Sequence, residues 1–333
     1  MVILMEKYIP KLDEYNTQRA ISLVKSEFEK QLCDALDLSR VSAPLFVKRG
    51  SGLNDDLNGV ERPVDFDILE TGEIAEVVHS LAKWKRMALM KYKFPLHTGL
   101  YADMNAIRRD EVCDNIHSLY VDQWDWEKVI SAEDRTEEYL KATVRSIYGA
   151  IYRTAKIIAK EFPVLDIKLP EQISFVTTQE LEDRFPNLTA KERENKISEE
   201  CGAVFIMKIG GALKSGEKHD GRAPDYDDWE LNGDILVYND VIGRGFELSS
   251  MGIRVDRESL LKQLKIENAE DRLKYTFHQL LCSGTLPLTI GGGIGQSRLC
   301  MYLLEKAHIG EVQVSVWPEK EVAKCSSMGI KLL

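Results

Sequence analysis

The chain has 333 residues, of which 44% are hydrophobic and 29% charged. That is ordinary globular composition and excludes a disordered chain. A formal charge of −10 and a pI near 5.3 repel a phosphate backbone, so no nucleic-acid partner is expected.

No apolar run approaches the roughly 18 residues of a membrane span. Glu6 interrupts the apolar start before a secretory core can form. The six cysteines, at 33, 113, 201, 282, 300 and 325, are scattered without a C-x-x-C pair and read as reduced cytosolic thiols. The six histidines form no metal-ligand spacing. A cytoplasmic protein with no membrane partner is the expectation.

In chain order, Thr17 reads as an N-cap, followed by Ile21, Val24, Phe28, Leu32 and Ala35 at a spacing of three to four. That predicts a long helix with one apolar face, running through Leu36 into an extended stretch at 44–47. Helices are predicted over 80–91 and 134–161. Between them, 100–109 and 116–126 read as two strands joined by a polar loop, with Trp124 and Trp126 as packing residues. Short strands are predicted at 173–177, 204–209, 234–238, 246–255 and 312–317. Helices at 189–200, 258–266, 271–282 and 295–306 intervene. Long helices with strands grouped in the second half suggest an α+β fold, and no clean βαβ alternation supports a Rossmann fold. The polar stretch 214–228 reads as the most flexible connection. No linker divides the chain, so 1–333 is read as a single domain.

Four stretches carry chemistry. Ile-Gly-Gly-Gly-Ile-Gly-Gln-Ser-Arg at 290–298 precedes an apolar helix. Glycines there let a ligand approach the backbone. No Gly-Lys-Ser/Thr follows, so it is not a Walker A loop. A bare turn needs fewer glycines, and a nucleotide site is the reading. Second, Phe-Glu-Leu-Ser-Ser-Met-Gly-Ile-Arg at 246–254 reads as a strand. Strict alternation puts Glu247, Ser249 and Met251 on one face, and Leu248, Ser250, Gly252 and Arg254 on the other. Asp234, on a neighbouring strand, could meet Glu247. Each carboxylate alone reads as a solvated or arginine-paired group, while the two together suit a hard divalent cation. Third, the acidic run after Arg222 reads as a solvated loop, or offers Asp227 to an amino group. Fourth, Arg108 ends a predicted strand, and its guanidinium fork matches phosphate oxygens.

Together the residues resemble the ammonia-dependent asparagine synthetases (aspartate–ammonia ligases, AMP-forming), relatives of class II aminoacyl-tRNA synthetase catalytic domains. The resemblance rests on 77–86 (Val-Val-His-Ser-Leu-Ala-Lys-Trp-Lys-Arg), 120–127 (Tyr-Val-Asp-Gln-Trp-Asp-Trp-Glu), 222–229, 231–237, 247–255 and the glycine run. It spans roughly residues 17 to 318.

The resemblance implies an antiparallel sheet flanked by helices and a homodimer, with the first helix and the strand near Pro44 as the dimer element. It implies L-aspartate, ammonia and ATP as substrates, Mg2+ as cofactor, and β-aspartyl-AMP as intermediate. By resemblance, Arg108 holds the α-phosphate, and Asp234 and Glu247 hold magnesium. Arg298 lies against adenine or the terminal phosphates, Arg222 reaches the polyphosphate, and Gly291, Gly292 and Gly293 line the ATP site. Ser80, Lys85, Gln123 and Arg254 fix the α-carboxylate, and Asp125 takes the α-ammonium. Asp227 and Ser250 line the same pocket. Asp55 faces the β-carbonyl and accepts a proton from ammonium, with Asp56 as its rival. No N-terminal cysteine is placed to hydrolyse glutamine, so free ammonia is the expected donor. The chain departs from the pattern between Trp229 and Leu231, where Glu230 alone stands in place of a longer loop, and the ends, 1–16 and after Trp317, differ from it too.

Overall fold

The computed structural model describes residues 8–54 and 61–333. Helix α1 (Glu14–Leu36) begins at Asp13, whose side chain accepts from the Asn16 amide. Thr17, read as the cap, lies one turn inside the helix, buried, with its hydroxyl donating to the Asp13 carbonyl at 2.7 Å. The predicted apolar stripe is correct: Val24, Phe28 and Leu32 are buried.

The short strands β1 (Leu38–Arg40), β2 (Phe46–Lys48), β3 (Asp65–Ile68) and β4 (Glu73–Val77) follow, then α2 (Ala82–Tyr92). The predicted strand pair is β5 (Gly99–Ile107) and β6 (Tyr120–Val129), and α3 (Glu137–Glu161) comes next. The second half holds β7 (Ser174–Thr177), α4 (Thr178–Arg184), α5 (Ala190–Cys201), β8 (Ala203–Met207), β9 (Asp227–Asn239), β10 (Arg244–Arg254) and α6 (Arg257–Ile266). It ends with α7 (Thr276–Cys282), β11 (Thr289–Gly295), α8 (Gln296–Leu303) and α9 (Glu319–Met328).

Other expectations for the elements change as well. The helix predicted over 271–282 is split into a 3-10 turn, Glu270–Lys274, and α7. The strand predicted at 312–317 is irregular chain after a 3-10 turn, Ile309–Glu311, with Val314 and Val316 exposed. The glycine run is itself a strand, and the helix read after it follows directly.

Eight strands form one sheet in the order β1-β5-β6-β11-β10-β9-β8-β7. The six from β5 to β8 pair antiparallel, and only the edge strands, β1 and β7, pair parallel to their neighbours. A second sheet has the order β2-β4-β3. Helices α1, α3 and α8 pack on one face of the large sheet, with Trp124, Trp126, Phe205, Phe246 and Met251 in the shared core. Phe28 meets Trp124 at 4.7 Å between ring centroids, tilted by 56°. Such side chains stabilise a fold by roughly 1.5–3 kcal/mol each on full burial. Because side chains alternate along a strand, the residues between these aromatics point to the opposite face. On β6 those are Gln123, Asp125 and Glu127. That second face carries the site.

Candidate active site

A cavity of about 510 Å³ lies on the polar face of the sheet, within the range of small-ligand pockets. Its wall includes Ser80, Gln123, Asp125, Asp227, Ser250 and Arg254, together with Arg108, Arg222, Arg298, Glu247, Gly292 and Gly293. Lys85, Gly291 and Asp234 lie behind this wall. Asp55 and Asp56 fall outside the described residues. Just before them, the Asn54 side chain accepts from the His79 amide at 2.9 Å and donates to the Val77 carbonyl at 3.3 Å.

Strand register orders the site. Gly291 pairs with Glu127, Gly293 with Asp125, and Gly295 with Gln123. On the other side, Gly293 pairs with Ser250, and Ser250 with Asp234. Arg254 pairs with Asp227. One end of the floor therefore carries Asp125, Glu127, Asp227 and Arg254. Arg108, beyond the end of β5, and Arg298, on the first turn of α8, belong to the other end.

The carboxylate end is a buried ionic lattice. Lys85 Nζ contacts the Asp125 carboxylate and donates to the carbonyls of Trp126 at 2.8 Å and Gly292 at 3.3 Å. It lies 3.6 Å from Glu127. Arg254 donates to Glu127 at 2.8–3.1 Å and to Asp227. Burial would lift the Glu127 carboxyl, but Arg254 and Lys85 hold it below its ordinary value. Lys85 is completely enclosed and its ammonium is already shared among these acceptors.

The other end pairs acids with arginines. Arg222 contacts the Asp234 carboxylate. Arg298 donates to the Glu247 carbonyl at 3.1 Å and lies 3.6 Å from its carboxylate. Arg108 has only Glu111, at 3.8 Å, as an ionic neighbour among the described residues. Burial pushes the Asp234 carboxyl well above its ordinary range; Arg222 opposes this and Glu247 adds to it. A carboxylate raised in this way, with a second one beside it, offers hard oxygen donors to a divalent cation.

The alternation read along β10 fails at one point. Glu247 pairs with Leu236 but Ser249 with Ile235, so Leu248 is an extra residue in the strand. The bulge turns Leu248 into the core and brings Glu247 to the same cavity as Ser250 and Arg254. The stretch 214–228, read as flexible, is anchored through Asp225, which is buried against Lys83, Arg272 and His278.

The glycines of β11 serve their neighbours. A Cβ at Gly293 would stand 2.3 Å from Gln123 Oε1, and one at Gly291 would stand 2.0 Å from Glu127 Oε2. At Gly292 it would meet the Ser250 carbonyl at 2.6 Å. Only glycine leaves the side chains of β6 room to lie across the strand.

Sequence reasoning passed over several residues. Glu127 had a signal, since it follows Gln123 and Asp125 at the same parity. Arg62 had none: its guanidinium and amide hold Asp110, which brings distant chain to the cavity rim. Among the described residues His308, Glu321 and Cys325 also cluster. However, His308 Nδ1 accepts from the Gly310 amide at 2.9 Å, which leaves the ring proton on Nε2, facing Glu321. That tautomer has no nitrogen left for a metal.

The aspartate–ammonia ligase family model matches residues 15–329. The chain belongs to the aspartate–ammonia ligase family. Its relatives are enzymes. One aspartate–ammonia ligase, of Clostridium tetani, is 61% identical over 333 residues, covering 100% of this chain and 98% of its own. That of Fusobacterium nucleatum is 61% identical, covering 98% of this chain and 99% of its own. That of Levilactobacillus brevis is 56% identical, covering 100% and 99%.

Among solved structures, asparaginyl-tRNA synthetase from Pyrococcus horikoshii, complexed with asparaginyl-adenylate, matches with a TM-score of 0.66 at 16% identity, over 91% of this chain and 70% of that one. Aspartyl-tRNA synthetase from Entamoeba histolytica matches with a TM-score of 0.58 at 16% identity, over 89% and 57%. At such identity the likeness carries the fold, which is the class II aminoacyl-tRNA synthetase type expected from the sequence. Among the described residues no helix is long and apolar enough to cross a membrane.

Proposed function

We propose that this family member makes L-asparagine from L-aspartate, ammonia and ATP through β-aspartyl-AMP, releasing AMP and pyrophosphate. The observation that carries the proposal is the division of one cavity into a carboxylate-rich end, with Arg254 among the acids, and an arginine end. A zwitterionic amino acid suits the first and a polyphosphate the second.

A carboxylate resists amide formation because its oxygen is a poor leaving group. Arg108 would hold the α-phosphate where charge develops as the aspartate β-carboxylate attacks. Arg222 and Arg298 would take the remaining phosphates or, for Arg298, adenine. Asp234 and Glu247 would hold Mg2+, which supplies charge neutralisation for the phosphates when bound. Arg254, with Ser80 and Gln123, would set the α-carboxylate, and Asp125 the α-ammonium, with Lys85 acting from behind the wall through its contact with Asp125. Ser250 and Asp227 would line the same pocket.

Ammonia must be neutral to attack the adenylate. Asp227 is committed to Arg254; Asp55, with Asp56 as its rival, would take the proton of ammonium. The whole chain would act as one cytoplasmic catalytic unit, paired as a homodimer.

The test is product analysis by mass spectrometry, with ATP, magnesium, aspartate and either ammonium or glutamine. Asparagine and AMP formed with ammonium and not with glutamine are expected. AMP without asparagine, or no ATP turnover, would overturn the proposal.

A further inference from the structure

Glu127 does not line the cavity, yet it is the hub of the lattice beneath its carboxylate end. It is fully enclosed. Its carboxylate takes both faces of the Arg254 fork at 2.8–3.1 Å and the Thr289 hydroxyl at 2.7 Å, with Lys85 Nζ at 3.6 Å. Asp125, Lys85, Glu127, Arg254 and Asp227 thus form an alternating chain of charges, and only Glu127 contacts both cations. Side-chain torsions alone would leave the Arg254 guanidinium several orientations. The two-oxygen contact to Glu127 selects one of them.

The backbone is built around this contact. Gly291 pairs directly with Glu127. A Cβ there would stand 2.0 Å from Glu127 Oε2 and 2.6 Å from Arg254 Nη2. A side chain at 291 would therefore enter the bond between the two.

We infer that Glu127 is the positioning residue for aspartate recognition, setting Arg254 and Lys85 in place through a contact that Gly291 alone leaves room for. The inference rests on the proposed function and deepens it, because it concerns one substrate of three. Glu127→Gln keeps the side chain's size but lacks the charge, and leaves two cations with two acids, so the fold is expected to survive. Gly291→Ala disturbs the same contact from the other partner strand, and the atoms it meets are the movable ends of side chains.

The experiment measures steady-state kinetics of the full chain with aspartate, ATP and ammonium each varied in turn, alongside the melting temperature. In both variants KM for aspartate should rise roughly 10- to 100-fold, the scale of a lost charge-assisted hydrogen bond. KM for ATP and for ammonium should stay within about threefold, as should kcat. A lower melting temperature with an unchanged aspartate KM would make Glu127 merely structural and overturn the inference. So would a parallel rise in all three KM values. Gly291→Ala with an unchanged aspartate KM overturns it too, whatever Glu127→Gln does, including failing to fold. A wild-type chain that makes no asparagine fails the functional reading instead, which separates the two.

Discussion

Asp225→Asn should destabilise the protein without changing its volume. The Asp225 carboxylate is buried, and its Oδ2 lies 2.9 Å from Lys83 Nζ, 3.0 Å from Arg272 Nη1 and 2.9 Å from His278 Nε2. These donors come from α2, the 3-10 turn at Glu270–Lys274 and α7, so one oxygen ties three elements to the loop between Arg222 and Asp227. Removing one member of a buried ionic cluster costs about 3–5 kcal/mol. Asparagine keeps one carbonyl acceptor, so about 3 kcal/mol is the expected loss. For a chain of 333 residues that corresponds to a fall in Tm of about 4 °C.

The effect also has a pH signature. Burial alone would raise the Asp225 pKa, but Lys83, His278 and Arg272 hold it well below the ordinary 3.8. A depressed carboxylate contributes stability that is present above its unfolded value and lost as the pH falls through its folded one. The gap between wild type and variant should therefore be flat from roughly pH 5 to 8 and narrow below about pH 4. Calorimetric or denaturant unfolding across that range is the assay. Equal stability at neutral pH, or a gap of the same size at low pH, would refute the reasoning.

Arg108→Ala should remain folded and lose at least about a hundredfold in synthesis, as expected for a donor aimed at developing charge; near-normal turnover would remove Arg108 from its role. Asp55→Ala should give a folded protein that still exchanges pyrophosphate with ATP and aspartate but makes little asparagine, because only the ammonia step needs its proton acceptor; unimpaired synthesis would reassign that role. Gly292→Ala should express poorly or unfold, since its Cβ would meet backbone, the Ser250 carbonyl at 2.6 Å, rather than a movable side-chain end; circular dichroism decides. Thiol blocking near neutral pH should leave ammonium-dependent synthesis intact: burial pushes the Cys300 thiol up to about 12, and burial with Glu29 and Asp34 pushes Cys33 up to about 11. Inactivation in step with labelling would count against free ammonia as the donor.

What could be read from sequence follows how local each signal is. The apolar stripe of α1 and the Trp124–Trp126 alternation are properties of single elements, and both were legible. The same period of two carries Gln123 and Asp125 on to Glu127, so that residue was available and was passed over. The bulge at Leu248 was not available. It exists only in the register between β10 and β9, and it reverses which residues share a face with Glu247. The strand β11 misled for a physical reason: three successive glycines weaken a strand in isolation. They make sense only when Gln123 and Glu127, more than 160 residues earlier, are laid across them. The N-terminus of α1 shifted because Asp13 and Thr17 are both capping residue types, and the buried environment of Thr17 decides between them.

The two ends of the cavity differ in how they are prepared for ligand. At the carboxylate end each cation already holds its partners in a fully enclosed lattice, so an amino acid arriving there meets groups that need not turn. At the arginine end Arg222 and Arg298 are engaged with Asp234 and Glu247, the very acids proposed to take a cation. A polyphosphate with its magnesium would exchange partners at both pairs at once, arginine to phosphate and carboxylate to metal. Neither half of that exchange is favourable alone, since each would leave a buried or half-buried charge without a partner. On the proposed function, the pairing would make nucleotide and metal binding interdependent. The carboxylate end, whose two cations are already paired with acids of the same lattice, would impose no such condition.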